Sequence, residues 1–107
     1  MQRHGQIIGV KPDKIDEYRR WHAAVWPEII DMIRQCSIRN YSIYEKDGLL
    51  FAYFEYVGDD FAADMAKMGA DPKTQEWWSI QMPLQAPLPH RREGEWWSEM
   101  DEVFHMD

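Results

Sequence analysis

A tyrosine, a histidine and a tryptophan follow one another at intervals of four residues near the start of the chain. Tyr18, His22 and Trp26, with Pro27 directly after them, form the pattern Tyr-x-x-x-His-x-x-x-Trp-Pro. On a helix this spacing places the three side chains along one face. Histidine has an ordinary pKa close to neutrality, so it is the side chain best suited to give and take protons at pH 7. The pattern predicts either a proton-transfer site with aromatic walls or a half-buried helix face that packs on a sheet.

The length and composition are those of a single domain spanning residues 1–107. Hydrophobic residues make up 45% of the chain and charged residues 29%, values that are ordinary for a globular protein. We find no apolar run long enough to cross a membrane and no signal peptide. The single cysteine, Cys36, excludes an internal disulfide and suits a reducing compartment. We therefore expect a cytoplasmic protein with no membrane partner, in which Cys36 is a buried apolar residue.

The charge balance argues against nucleic acid as a partner. There are 19 acidic and 12 basic residues, which give a formal net charge of −7. Such a surface repels phosphate backbones. The four histidines, His4, His22, His90 and His105, show none of the spacings typical of zinc sites, and one cysteine cannot complete such a site. The sequence therefore predicts no metal.

The aromatic content is unusual in its arrangement. Six tryptophans include two adjacent pairs, Trp77-Trp78 and Trp96-Trp97. Adjacent side chains in a helix or strand cannot all face the same core. Some of these indoles must therefore line a cavity, an interface or the surface, and we interpret Trp96-Trp97 as interface or core.

Hydrophobic periodicity divides the first third of the chain into a strand and an interrupted helix. Residues 6–10 form a short apolar run that ends before Pro12, which predicts a first strand. A helix is expected to follow, since apolar residues recur at helical spacing as far as Ile33. Pro27 lies inside this stretch and lacks a backbone N–H. We therefore expect a kink or a restart of the helix just after residues 22–26.

The rest of the chain completes an alternation of strands and helices. The predicted elements are two strands joined by an Asp-Gly turn (38–45 and 49–57), a helix from 58–60 to Gly69, a short helix from Asp71-Pro72, an irregular stretch (83–94) and a last strand (100–106). The resulting order β-α-β-β-α-β is the ferredoxin-like arrangement of the α+β class. Helices on one side leave the other face of the sheet bare, and a second copy of the chain would cover it. We therefore expect a homodimer.

Five motifs, taken in order between residues 6 and 106, resemble those of the L-rhamnose mutarotase family. They are Tyr18-x-x-x-His22-x-x-x-Trp26-Pro27-Glu28, Asn40-Tyr41-Ser42-Ile43-Tyr44, Leu49-Leu50-Phe51, Trp77-Trp78 and Val103-Phe104-His105. Members of that family look like dimeric ferredoxin-like α+β barrels, and they interconvert the α and β anomers of a 6-deoxy sugar without a cofactor. The resemblance therefore implies a cofactor-independent isomerase that opens and recloses the ring of L-rhamnose or a similar 6-deoxy hexose by acid–base chemistry.

The resemblance also assigns roles to individual residues. It implies that His22 is the catalytic proton donor and that Tyr18, Tyr41, Trp77 and Trp78 contact the sugar. Tyr41 and Tyr44 lie three residues apart on one predicted strand, so they point to opposite faces and only one of them can meet the histidine. The resemblance selects Tyr41. We expect one indole of the Trp77-Trp78 pair to stack on the sugar and the other to pack against the protein, and either residue could take either role.

Some features leave other functions open. Trp21 and Ala23-Ala24 flank His22 where the family usually has more polar residues or a proline, and residues 83–97 resemble relatives associated with L-fucose. An L-fucose mutarotase of the same fold is therefore an alternative. The fold would also suit a dimeric module that binds a ligand without chemistry, or a haem-binding barrel in which His22 is an axial iron ligand.

Overall fold

The computed structural model describes residues 1–107 as one antiparallel sheet with four helices packed against it. Its strands are β1 (Gln2–Val10), β2 (Ile38–Lys46), β3 (Leu49–Tyr56), β4 (Gln85–Ala86) and β5 (Ser98–Met100). Its helices are α1 (Ile15–His22), α2 (Pro27–Gln35), α3 (Phe61–Ala70) and α4 (Pro72–Gln81), with short 3₁₀ turns at Pro12–Lys14 and Met82–Leu84. The α+β class and the ferredoxin-like order predicted from the sequence are confirmed.

The sheet is built around β1 and β3. The strand order is β2-β3-β1-β4, and β5 also pairs with β1. All these pairs are antiparallel: β4 pairs with residues 9 and 10 of β1, and β5 pairs with residues 5 to 7. Two short strands therefore share the place that a single edge strand would take.

The predicted last strand at 100–106 was wrong. The strand covers Ser98–Met100, and residues 101–107 have no regular structure and are exposed. Val103 and Phe104 favour a strand by type, yet Val103 is 95% exposed. The pairing of β5 with β1 ends at Met100, opposite Gly5. Asp101 and Glu102 follow directly, and both residue types are unfavourable in strands, so the strand stops before Val103.

Proline and aspartate set the helix boundaries, largely as the sequence predicts. Pro27 begins α2 after the break at residues 23–26, so the expected restart is confirmed. Asp60 begins α3 by accepting a hydrogen bond from the Ala63 backbone N–H at 3.1 Å. Asp71 does the same for α4 with the Thr74 N–H at 2.9 Å. These caps fix where each helix meets the sheet.

Helices cover one face of the sheet and leave the other face without a cover. The residues of β3 alternate between half-buried and buried from Leu49 to Tyr56, as a strand with one covered face requires. The buried side chains face the helices and form what we call the inner face: Ile8, Val10, Leu50, Ala52, Phe54 and Tyr56. No helix covers the other side, the outer face, which carries Ile7, Tyr44, Leu49, Phe51 and Tyr53. None of the helices is long and apolar enough to cross a membrane.

Candidate active site

Helix α1 places Tyr18 and His22 together over the inner face. Tyr18 is buried in a cluster with Ile8, Val10 and Leu50. One helical turn later, the His22 ring stacks on the Tyr18 ring with a centroid distance of 4.0 Å and an interplanar angle of 22°. The four-residue spacing therefore brings a phenol and an imidazole into contact, as the sequence predicts.

The backbone fixes which nitrogen of His22 is free. His22 Nδ1 lies 2.9 Å from the carbonyl oxygen of Tyr18. A carbonyl can only accept a hydrogen bond, so Nδ1 carries the proton and Nε2 of the neutral ring has a free lone pair. Burial lowers the pKa of His22 below its usual value of 6.5, and the bond to the Tyr18 carbonyl offsets part of that effect. At pH 7 the imidazole is therefore neutral and ready to take a proton through Nε2.

Trp77 of α4 forms an aromatic wall beside His22. The centroids of the Trp77 and His22 rings are 5.5 Å apart in an edge-to-face arrangement. Trp77 also contacts Trp21 and Trp26, at 5.9 and 5.1 Å. Trp26 was predicted to continue the stripe of Tyr18 and His22, but its ring contacts are with the tryptophans, because α1 ends at His22 and Trp26 precedes α2.

Of the four paired tryptophans, Trp77 is buried, Trp78 is exposed, and Trp96 and Trp97 are half-buried. Trp78 follows Trp77 but is 40% exposed and lies near Gly69 of α3. It is not brought to His22, because neighbouring helix residues point about 100° apart. Trp96 and Trp97 are half-buried against the cluster that contains Tyr18.

A β-bulge turns Tyr41 towards the inner face. Ile38 and Ile43 both face inward although five residues separate them, because the pairing register shifts between Arg39 and Ser42. Asn40 absorbs the shift with a φ of 51°, a conformation that asparagine tolerates better than most residues. Tyr41, within the bulge, contacts the ring of Phe54 at a centroid distance of 5.5 Å. Tyr44 faces outward, so the predicted opposition of the two tyrosines is observed.

A cavity of about 280 Å³ opens next to His22 between α1 and the strands β2 and β3. Its lining residues are Tyr18, Arg19, His22, Ala23, Ile43, Glu45 and Leu50. Among the predicted site residues, Tyr18 and His22 line it, while Trp77 contacts His22 and Tyr41 lies two residues before Ile43 on the same face of β2. The cavity is at the small end of the range for ligand sites, which is roughly 300–1,000 Å³.

An ion pair marks the mouth of this cavity. Arg19 donates a hydrogen bond to the Glu45 carboxylate, whose other oxygen accepts the Gly48 backbone N–H at 3.0 Å. The Gly48 N–H, and then the Arg19 guanidinium, lower the pKa of Glu45, so the carboxylate stays ionised. Glu45 was not among the residues predicted from the sequence. Alternate residues of a strand share a face, so Glu45 lies on the same face of β2 as Ile43, and this periodicity could have identified it.

Both tyrosines of the site stay protonated near neutral pH. Burial is the main cause that raises the pKa of Tyr18, and interaction with Tyr41 adds to it. Desolvation of the phenol raises the pKa of Tyr41 to about 12, although 40% of the residue's surface is exposed. Each hydroxyl therefore keeps its proton at pH 7 and can donate a hydrogen bond.

His4 lies on the inner face, away from His22. Its ring stacks against both Phe54 and Phe61, at centroid distances of 4.8 and 4.6 Å. The Glu99 carboxylate lies 3.9 Å from its Nδ1. Residue spacing could not predict these contacts of His4, since its partners come from β3, α3 and β5. No three His, Cys, Asp or Glu side chains come together in a way that could hold a metal ion.

Comparison with known proteins identifies the family. Residues 3–106 match the model of the L-rhamnose mutarotase family. An L-rhamnose mutarotase of Oceanobacillus iheyensis is 32% identical, with all of both chains covered. An L-fucose mutarotase of Xanthomonas campestris is also 32% identical, over 97% of this chain and 87% of that protein. The crystal structure of an L-rhamnose mutarotase from Formosa agariphila covers both chains fully with a TM-score of 0.78 and 18% identity, a likeness of fold. This chain therefore belongs to the L-rhamnose mutarotase family.

Proposed function

We propose that this protein interconverts the α and β anomers of L-rhamnose or a similar 6-deoxy hexose, with His22 as its catalytic acid–base group. The observation that carries this proposal is the neutral His22 imidazole, with Nε2 free, at the wall of a cavity of about 280 Å³ in a chain of this family. Tyr18, Tyr41, Trp77 and Trp78 are proposed as sugar-contacting residues, and the reaction needs no cofactor.

Mutarotation requires two proton movements that reverse each other. The anomeric hydroxyl loses its proton while the ring oxygen gains one, the bond between the anomeric carbon and the ring oxygen breaks, and the open aldehyde recloses on its other face. Neutral His22 takes the hydroxyl proton through Nε2, and the imidazolium then delivers it to the ring oxygen as the bond to the anomeric carbon breaks. On reclosure the neutral imidazole takes the proton back from that oxygen and returns it to the former aldehyde oxygen. A positioned acid–base group of this kind typically contributes about 10²–10⁴-fold to the rate.

The polar and apolar groups near His22 suit a deoxy sugar. The Tyr18 hydroxyl is available to donate a hydrogen bond, and the ionised Glu45 carboxylate is available to accept one from a sugar hydroxyl. Ile43 and Leu50 line the same cavity and offer apolar contacts for the methyl group at C6. Trp77 presents an indole edge to His22, whereas the 40% exposure of Trp78 makes it the weaker of the two adjacent candidates.

L-Rhamnose and L-fucose are the two candidate substrates. The family and the Oceanobacillus relative favour L-rhamnose, whereas the Xanthomonas relative is named for L-fucose at the same identity. Each sugar is a 6-deoxy hexose, so the acid–base chemistry at His22 is the same for both. The two differ in the orientation of ring hydroxyls, which the acceptor at Glu45 and the donors at Tyr18 and Tyr41 would sense.

We further propose that the protein works as a homodimer in the cytoplasm. On the outer face, Ile7, Leu49, Phe51 and Tyr53 are half-buried and lie on the same side of β1 and β3, where they form an apolar surface. In the C-terminal segment, Val103 and Phe104 are 95% and 79% exposed. Surfaces of this kind are covered in stable proteins, and a second copy is the simplest cover. The buried, unpaired Cys36 agrees with a reducing compartment.

The activity is tested by saturation-transfer NMR on equilibrated sugar. The exchange rate between the two anomeric protons is measured for L-rhamnose and, separately, for L-fucose, with and without the protein. We expect acceleration for at least one sugar, and the faster sugar names the substrate. If both rates equal the protein-free rate while either sugar changes tryptophan fluorescence, the protein is a binding module without this chemistry.

The haem-binding alternative has less support from the site. The cavity at His22 has about 280 Å³, a size for a monosaccharide rather than a porphyrin. Adding haem to the purified protein and recording the Soret band tests this alternative directly. A stoichiometric band that His22→Ala removes would favour the haem function.

A further inference from the structure

A row of four inner-face residues crosses the sheet beside the His22 cavity. They are direct cross-strand neighbours on β2, β3, β1 and β5: Ile43, Ala52, Gln6 and Glu99. Directly opposite residues of antiparallel strands project to the same face, and neighbouring strands lie about 4.8 Å apart. Ile43 lines the cavity, so Gln6 lies roughly 10 Å from it along the row and Glu99 one strand further. The row therefore leads from the cavity to two polar side chains that have no role in the function proposed above.

The two tyrosines proposed to contact the sugar lie on either side of this row. Tyr18 packs on Leu50, which belongs to the next inner-face row in one direction. Tyr41 contacts Phe54, which belongs to the next inner-face row in the other direction. A sugar that contacts both tyrosines therefore lies over the row between them, where Gln6 is the polar side chain nearest to the cavity.

A carboxylate fixes the orientation of the Gln6 amide. Gln6 Nε2 donates a hydrogen bond to Glu99 Oε1 at 2.8 Å. A carboxylate only accepts, so the amide atom that faces it is the nitrogen, and the amide oxygen faces elsewhere. Gln6 Oε1 has no hydrogen-bond partner within the chain and is not buried. It is therefore an acceptor that is free to bind a ligand.

The Glu99 carboxylate is itself placed by residues of the sheet. Its Oε2 atom lies 3.9 Å from His4 Nδ1, and the His4 ring stacks against Phe54 and Phe61. Glu99 thus lies between Gln6 and His4, two side chains of the same strand. A group held by paired strands is more precisely oriented than one on a loop.

We propose that Gln6 accepts a hydrogen bond from the C4 hydroxyl of the sugar, and that Glu99 is the positioning residue that presents the Gln6 oxygen. This inference rests on the proposed mutarotase activity, because it takes the sugar to be bound with its anomeric carbon, C1, at His22. In a pyranose ring C4 lies opposite C1. The C4 hydroxyl of such a sugar therefore points away from His22, in the direction in which the row leads to Gln6.

The C4 hydroxyl also distinguishes the two candidate substrates. L-Rhamnose and L-fucose have opposite configurations at C2 and C4, and the C4 hydroxyl is equatorial in L-rhamnose and axial in L-fucose. A single fixed acceptor aligns better with one of these orientations than with the other. Gln6 therefore contributes to the choice of sugar, without taking part in the proton transfer at His22.

Removing the C4 hydroxyl and the Gln6 amide, separately and together, isolates their contact. Anomeric exchange is measured by NMR over a range of concentrations of the faster sugar and of its 4-deoxy analogue, with wild type and Gln6→Met. For wild type, we expect loss of the hydroxyl to raise KM about fivefold, the value of one net hydrogen bond. The value of kcat should stay within about twofold, because C4 is remote from the bond that breaks.

Methionine keeps the length of glutamine without its amide. Gln6→Met should raise KM for the parent sugar about fivefold, and its KM for the 4-deoxy analogue should differ from this by no more than about twofold. Gln35→Met, on the exposed surface of α2, is the matched control and should behave as wild type with both sugars.

Glu99→Leu tests the positioning role. Leucine removes the acceptor that holds the Gln6 nitrogen, so the amide can turn and its contact with the sugar weakens. We expect KM for the parent sugar to rise about threefold, with no change in KM for the 4-deoxy analogue and no further change in the Gln6→Met background. Equal effects of Glu99→Leu on both sugars would overturn the positioning role.

Two other results would overturn the inference as a whole. One is a wild-type KM that does not change when the C4 hydroxyl is removed, a result that requires no variant to fold. The other is a folded Gln6→Met protein that keeps the full preference for the parent sugar; if circular dichroism shows that this variant does not fold, Gln6→Thr takes its place. If wild type accelerates exchange of neither sugar, the proposed function fails and the inference fails with it. If wild type is active but the C4 contact is absent, the inference alone fails.

Discussion

Tyr41 and Tyr44 stand three residues apart on β2 but belong to different parts of the molecule. Tyr41 faces inward, contacts Phe54 and has its phenol desolvated. Tyr44 faces outward beside Phe51 and is 67% exposed. The same contrast extends across the sheet, where the inner face carries the groups that can exchange protons and the outer face carries apolar groups without a cover. The inner face is therefore suited to chemistry and the outer face to association.

The largest effect is expected from a charge on the outer face. Phe51→Lys places an ammonium in the proposed dimer interface, where an unpaired charge cannot be buried without a cost of several kcal/mol. We expect complete conversion to monomer, measured by light scattering coupled to size-exclusion chromatography. Ala66→Lys, on the exposed side of α3, is the matched control and should leave the mass unchanged. A wild-type protein that is monomeric at micromolar concentration would refute the proposed dimer.

On the inner face, the next largest effect is the response of activity to acid. Burial lowers the pKa of His22, so the neutral imidazole persists below pH 6.5. The rate should be constant from pH 8 down to 6.5 and should fall about tenfold per pH unit once the pH drops below the lowered pKa. The same protonation lowers the stability of the fold, because the unfolded chain binds this proton more readily. A rate that declines with a midpoint at or above pH 6.5 would contradict the assigned environment of His22.

The backbone of the bulge can be strained by changing Asn40, which does not line the cavity. Asn40→Val puts a β-branched residue at a φ of 51° and removes the 2.6 Å hydrogen bond from Asn40 to Glu55. We expect a loss of about 2 kcal/mol in the free energy of unfolding, measured with urea. Asn40→Gly accepts the same backbone angle and should lose less than half as much. Equal losses for the two variants would show that the backbone angle is unimportant.

The smallest effect is expected from removing the hydroxyl group of Tyr41, with removal of the Tyr44 hydroxyl as the control. Tyr41→Phe removes a hydroxyl that is proposed to bond the sugar, and kcat/KM should fall about fivefold, the value of one net hydrogen bond. Tyr44→Phe removes an exposed hydroxyl on the outer face and should leave kcat/KM unchanged. If both variants keep full activity in the anomeric exchange assay, Tyr41 has no part in sugar binding.

The sequence was sufficient to predict the elements whose signals are local. Pro27 predicts the restart of the helix, Asp60 and Asp71 mark helix starts, and the Asp47-Gly48 turn joins β2 to β3. The contact between Tyr18 and His22 follows from their spacing on one helix. Each of these features depends on residues within a few positions of one another, where propensity and sterics dominate.

Features that depend on tertiary contact were missed. The hydrogen bond from Trp96 to Gln85 joins residues eleven positions apart, and the stacking of His4 joins three separate elements. Residues 100–106 include the strand-forming Val103 and Phe104, but the pairing with β1 ends at Met100, before the unfavourable Asp101 and Glu102. Helical spacing placed Trp26 beside His22, whereas the break before Pro27 turned it towards Trp77. Tertiary packing therefore decides the contacts of Trp96 and His4, whereas the break in the helix decides the direction of Trp26.

The measurement that tests the central claim most directly is anomeric exchange of L-rhamnose and L-fucose with His22→Ala beside His90→Ala. His90 is exposed in an irregular segment and serves as the control for the loss of an imidazole. We predict that His22→Ala reduces the accelerated exchange by about 10²–10⁴-fold, whereas His90→Ala retains the wild-type rate. Wild-type exchange in a folded His22→Ala protein would show that the inner face around His22 is not where the protons are transferred.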